Sequence, residues 1–531
     1  MVGEKRLAGG KRGMNRQVLF LGAFFLLWAG LFGMEAWAQS NPKKGGTINV
    51  GLNTDVTAVD PHVTTAFVTA TVLNHVFEPL VGHGEKMELV PVLAERWEVS
   101  PDQKAITFYL RKGKLFHNGR EMVADDVKYS IERILDPKTG NPRRDVLQKI
   151  DRIEVADKYK VIFHLKEKDS TIFYVLAYIA PITAIVPKEE VEKQGGVMKH
   201  PVGTGPFKFV EWKPDRHLIL ERFDAYKPQP GPVNGFAGER VVHVDRLKFV
   251  PVVEESVATM ALLNKEIDFL QYVPFKDVEK FRSDYAKRGL VTDEAPGQSW
   301  YEIFFGCKSP ITKDVKFRQA CAYAVDREFV TQAATRGYAA RNPSFIDVQN
   351  AYYSPVHKNW PKKDLKKARQ LLKEANYNGE QVEIVTTKKY PMMYNIGIAV
   401  QSELAEAGIK AKLTVVEWAN LLNLLYKGDY QIITFGISPR PDPVSCYIYL
   451  KYNGFDDQFP KMKQIREEAQ GTFDFQTRKK LFEEAHRLTM EGVPAIVFFN
   501  YNYFHAYWKY LKGYKMWNTN FPRFWGVWVE K

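Results

Sequence analysis

Cysteine is nearly absent. Cys307, Cys321 and Cys446 are the only three in 531 residues, and their odd number and wide spacing exclude a disulfide framework or a thiolate metal site. Cys321 falls with Phe317, Ala320 and Ala324 at helical spacing, the setting of a buried thiol. Blocks of like charge are missing too. The formal charge is +13, yet no run of five or six Lys or Arg occurs and no basic run interleaves with aromatics, which argues against nucleic acid as a partner. There is no Walker-type phosphate loop, dinucleotide fingerprint, Gly-x-Ser-x-Gly or His-Glu-x-x-His, and each absence weakens an enzymatic reading. No cofactor and no metal are expected. His62, His75 and His83 match no compact ligand spacing and are expected to cap or pack locally. In Gly203-Thr204-Gly205-Pro206, Pro206 removes an amide that a phosphate cradle would need, so a rigid turn between lobes is expected there. No pair of carboxylates stands out as glycosidase machinery.

What is present is a long chain of globular composition, 45% hydrophobic and 26% charged, long enough for two or three domains. Its N-terminus carries Lys5, Arg6, Lys11, Arg12 and Arg16, then a charge-free run over 17–34, then Ala36-Trp37-Ala38. That order reads as a secretory signal, with Met1 or Met14 as start, cleavage after Ala38 and a mature chain from Gln39. An uncleaved anchor helix is the alternative. No Cys follows the run, so the expected product is periplasmic without a lipid anchor. A second uncharged run, 170–187, is interrupted by Pro181 and predicts a short buried helix followed by a strand.

Residues 91–137 hold the densest local signals. Trp97 and Val99 alternate with Glu98, Ser100-Pro101-Asp102-Gln103 supplies a turn, and Ile106, Phe108 and Leu110 share one face of a second strand. Asn118-Gly119 marks a tight hairpin turn. A helix follows with Asp125 and Asp126 in its first turn, Val127, Ile131, Ile134 and Leu135 as its apolar stripe, and Asp136-Pro137 as its stop. Val123 is a weak N-cap. Further on, strands are predicted over 207–212, 218–222, 244–250, 268–273, 382–386, 409–417, 430–435 and 495–500, and helices over 252–263, 364–375, 396–407 and 476–490.

The wording of 91–137, together with Gly45-Gly46-Thr47, Asp60-Pro61, Gly203 to Phe207, Asp314, Phe317-Arg318-Gln319-Ala320, Ala324-Val325-Asp326-Arg327 and Arg440-Pro441-Asp442-Pro443, resembles the family 5 extracellular solute-binding proteins, the peptide, nickel and oligosaccharide receptors of ABC importers. The resemblance implies an α/β, bilobed periplasmic-binding-protein fold with mixed sheets, a hinge between lobes and an extra subdomain in the first lobe. The implied segments are 1–38 signal peptide, 39–80 first lobe, 81–195 its subdomain, 196–274 first lobe again, 275–499 second lobe and 500–531 a return to the first. The implied function is capture of a peptide or similar small polar solute between the lobes and its delivery to a membrane permease by a monomeric, non-enzymatic receptor. A secreted hydrolase and a periplasmic chaperone-like holdase are the alternatives.

Site candidates follow from position. Aromatics make up 13% of the chain, and most must fill cores. Ser299 and Trp300 follow Pro296-Gly297 ahead of a strand, Trp418 opens a helix, and Tyr272 lies near the expected lobe crossing. Arg440 and Asp442 sit on a loop with prolines at 439, 441 and 443, delivered by a strand to the end of a sheet, where open α/β sheets bind ligands. Arg440 is expected to grip a carboxylate or phosphate, and Asp442 to orient Arg440 or take an amine; an exposed proline turn is the alternative. In the family's peptide receptors an Asp before the Asp-Pro pair holds the peptide amino group, and the aligned position here is Pro439.

Overall fold

The computed structural model describes residues 42–440 and 442–531, so the expected signal segment and Pro441 lie outside the described residues. Eleven strands form one mixed sheet: β1 Thr47–Leu52, β2 Phe207–Lys213, β3 His217–Arg222, β4 Arg246–Pro251, β5 Phe269–Leu270, β6 Leu290–Phe305, β7 Ala339–Arg341, β8 Val382–Thr386, β9 Ala411–Val415, β10 Ile432–Ile437 and β11 Ala495–Trp508. Their order is β9-β8-β10-β6-β11-β5-β1-β4-β3-β2, with β7 also on β11. Strand β1 runs parallel to β4 and β5, and β8 parallel to β9 and β10, while β6 and β11 pair antiparallel.

Each half of this sheet buries its own core. Ile48, Val50, Phe207, Leu220, Leu247 and Phe249 cluster in the first; Ile303, Phe317, Cys321, Ile384, Ile396 and Phe498 cluster in the second. The two halves are the lobes, and β6 and β11 belong to both. Residues 290–296 of β6 pair with 502–508 of β11 beside β5, whereas residues 300–305 pair with β10 and with 495–500 of β11. The ladder breaks between Pro296 and Trp300. Gly297 is required in that break, because a Cβ there would lie 2.1 Å from the Tyr503 ring and 2.5 Å from the Tyr501 carbonyl.

The segment 91–137 builds much of an inserted unit. A four-stranded antiparallel sheet in the order 94–99, 105–110, 160–165, 150–157 is covered by the helix Ala124–Leu135, which buries Val127, Ile131 and Ile134. Gly119, at φ 88°, makes the hairpin turn, and Phe116 N donates to Arg120 O at 2.8 Å. Val123 caps nothing with its side chain, but the Asp126 carboxylate accepts from Val123 N (2.9 Å) and holds Arg120 at 2.6 Å. Two turns further along the same helix Arg133 reaches Asp60 at 2.5 Å, with His62 Nδ1 accepting from Arg133 at 2.8 Å and His62 Nε2 meeting Ala184 O at 2.8 Å. Burial first, and Arg133 second, push His62 down to about 4, so it is neutral and both nitrogens are engaged in packing. The pair ties the inserted unit to the first lobe.

Four sequence expectations change. The run 170–187 contains the buried helix Ile172–Leu176, but no strand follows; Pro181 breaks the path, and Ile182 to Val186 are buried in irregular chain held partly by Ile185 N to Glu78 O. Residues 268–273 shrink to the two-residue β5, whose strand partners are β1 and β11. Gly203 to Pro206 do not lie between lobes: Gly205 N donates to Val76 O, and a Cβ on Gly203 would stand 2.1 Å from that same oxygen, so they pack inside the first lobe. Ser299 and Trp300 do not precede a strand but sit in the middle of β6, because the Pro296-Gly297 break is a bulge and not an end.

Candidate functional site

The β6–β11 break faces a cavity of about 520 Å³. Phe67, Arg143, Tyr178 and Phe521 border it from the first lobe and its inserted unit, Ser438 and Arg440 from the loop after β10, and Ser299 and Tyr503 from the two shared strands. Strand alternation sets which side chains arrive. Ser299 turns to the cavity, and its Oγ lies 3.1 Å from Tyr503 Oη. Phe67, 42% exposed, stacks on Phe521 with centroids 4.4 Å apart, offering an apolar face to an occupant.

A second cavity of about 280 Å³ adjoins the first; both share Arg143, Tyr178, Pro439 and Arg440, and the smaller adds Lys149, Tyr174, Asp442 and Gln470. Across it the lobes touch. Tyr174 Oη meets Tyr352 Oη at 3.0 Å, Arg478 donates to Tyr174 Oη at 3.1 Å, Ser170 N donates to Gln470 O at 2.8 Å, and Gln470 Nε2 donates to Asp169 at 3.0 Å. The inserted unit and the second lobe are thus in contact on this side of the cavities.

Of the sequence-predicted site residues, Ser299 and Arg440 meet in the larger cavity and Asp442 borders the smaller. Asp442 does not orient Arg440. It caps the short helix Pro443–Cys446 through Val444 N (3.1 Å) and pairs with buried Arg478 at 2.5 Å, while burial, only partly offset by Arg478, raises its pKa. The remaining three candidates line neither cavity. Trp300, next to Ser299, points to the opposite face of β6 and is 1% exposed in the core. Trp418 opens the helix Trp418–Lys427 but lies flat on Phe435, 5.8 Å away. Tyr272 bonds Tyr501 Oη at 3.0 Å; Tyr501 lies beside Tyr503 on the same face of β11, 5.5 Å from ring to ring, and Tyr272 does not line the cavity. Phe67, Arg143, Tyr178, Tyr503 and Phe521 escaped sequence reasoning. The Gly-Asn-Pro-Arg turn at 140–143, directly after the helix stop, was the available signal for Arg143.

The profile of the bacterial extracellular solute-binding proteins, family 5, matches residues 88–459. A Brucella ovis protein named as an ABC transporter peptide-binding protein is 30% identical over 442 residues, 80% of each chain. Two solved structures are similar across 92% of this chain: the substrate-binding protein CtaP of Listeria monocytogenes (24% identity, TM-score 0.79, all of that chain) and AgaA of A. tumefaciens R10 with agropinic acid (29% identity, TM-score 0.67, 99% of that chain).

Proposed function

The chain belongs to the bacterial extracellular solute-binding proteins of family 5, and from that premise we propose that it is the periplasmic receptor of an ABC importer, taking a peptide or similar small polar solute and handing it to a membrane permease. The observation that carries this reading is the 520 Å³ cavity between lobes, which falls within the usual range for small-molecule sites and is bordered by residues of both lobes and of the two strands they share. Arg440, Ser299 and Asp442 are the site residues kept from the sequence; Arg143, Phe67, Tyr178 and Tyr503 join them. The receptor acts as a monomer, and closure around solute is the signal the permease reads.

Mass spectrometry of gently purified protein tests the reading. One defined small molecule, released on unfolding, is the expected result. Turnover of a chromogenic glycoside or peptide would make it a hydrolase instead, and a heterogeneous set of polypeptides would make it a holdase.

A further inference from the structure

We propose that the solute presents an oxyanion, a carboxylate or a phosphate, to two guanidinium groups, Arg143 and Arg440, which border the same two cavities from opposite lobes. The inference rests on the cleft being the ligand site. Its basis is a count of charge. The larger cavity is lined by these two arginines and by no Asp or Glu. In the smaller cavity Lys149 pairs with Asp169 and Glu167, and Asp442 with Arg478, one negative charge in excess, which the two arginines outweigh. The uncompensated charge is therefore positive.

Neither arginine has a carboxylate partner among the described residues. Arg143 donates to Tyr178 Oη at 3.2 Å with its guanidinium 5.0 Å from that ring, and its Nε is buried with no acceptor. Arg440 makes only long bonds, to Ser438 O at 3.3 Å, Pro439 O at 3.1 Å and Tyr449 Oη at 3.4 Å. Other buried arginines of this chain are engaged: Arg318 donates to the carbonyls of Thr312, Lys313, Gly492 and Val493, and three others hold carboxylates. Arg133 is paired with Asp60, Arg240 with Glu78 and Arg478 with Asp442. A guanidinium without a carboxylate partner beside a ligand-sized cavity is a vacant fork for an oxyanion. An ammonium group would meet two like charges there. Asp442 Oδ2 is buried without a partner, but its carboxylate is already matched by Arg478. The stacked Phe67–Phe521 pair at the same cavity suits an apolar or planar remainder of the solute, so the class is a small organic acid or phosphate ester.

The test uses a small-molecule extract of the producing cells, split on anion and cation exchangers at neutral pH, with thermal stabilisation of the whole mature protein as the readout. Stabilising material is expected only in the anion-exchanger eluate. Phosphatase treatment abolishes it if the group is a phosphate monoester and spares it if a carboxylate. Arg440→Ala and Arg143→Ala should each raise the half-saturating amount of that eluate tenfold or more, and Arg440→Lys less, because the ammonium keeps the charge and loses the fork. An unchanged titration with both Ala variants folded overturns the proposal and leaves the receptor reading standing, as does flow-through material whose stabilising effect survives esterification of its carboxylates. No stabilising fraction at all overturns both.

Discussion

Glu302 faces inward from β6 and is fully buried, with neither carboxylate oxygen hydrogen-bonded. Burial alone raises its pKa well above the ordinary carboxylate value of 4.5, so folding favours the neutral acid. The folded state then binds a proton that the unfolded state releases above pH 4.5, and this group's contribution to stability falls as pH rises, by about 1.4 kcal/mol per unit until its folded pKa is passed. Glu302→Gln keeps the shape and removes the titration. Denaturant midpoints should be higher for the variant at pH 8 and converge with the parent near pH 4; parallel pH profiles would mean that Glu302 finds a partner. Nothing in the sequence marked Glu302, because one acidic letter among alternating apolar ones also describes an exposed strand face.

At the scale of the element, the strand pair β6–β11 decides where the lobes bend. Gly297→Ala puts a methyl against Tyr503 and the Tyr501 carbonyl, and backbone cannot yield as a flexible side chain would. A loss of about 1–3 kcal/mol is expected, visible as a lower melting temperature in differential scanning calorimetry, whereas Gly119→Ala, whose turn has open space around it, meets only the cost of its positive φ. An unchanged melting temperature for Gly297→Ala would show that the bulge relaxes freely. Local signals made the elements legible: 382–386 reproduces β8, and Gly408 closes the helix Pro391–Ala407 as an αL cap. Long strands were not. Gly and Pro at 296–297 read as a stop, and only pairing with a strand two hundred residues away turns them into a bulge. The site suffered likewise: Arg440 was visible from its proline-rich loop, while Arg143 and Phe67 become neighbours of it only through the tertiary fold.

For the whole molecule, ligand capture and shape are linked. A solute that binds only the closed lobes stabilises the protein by about 2.7 kcal/mol at 100 times Kd and should shrink its radius of gyration in solution scattering; a saturating, stabilising solute with no decrease in radius would count against hinge closure. Tyr174→Phe removes the hydroxyl that meets Tyr352 and Arg478 across the lobes without touching the larger cavity. Solute affinity by calorimetry should drop several-fold, about 1 kcal/mol for one lost hydrogen bond, and unchanged affinity would remove this contact from the closing mechanism. The shared strands also have a consequence in time. Strand β11 begins at residue 495 of 531 and is paired by β5 and β6 on one side of the break and by β6 and β7 on the other. A chain still being synthesised has neither lobe's sheet complete until residues 495–508 emerge, so one strand finishes both sheets.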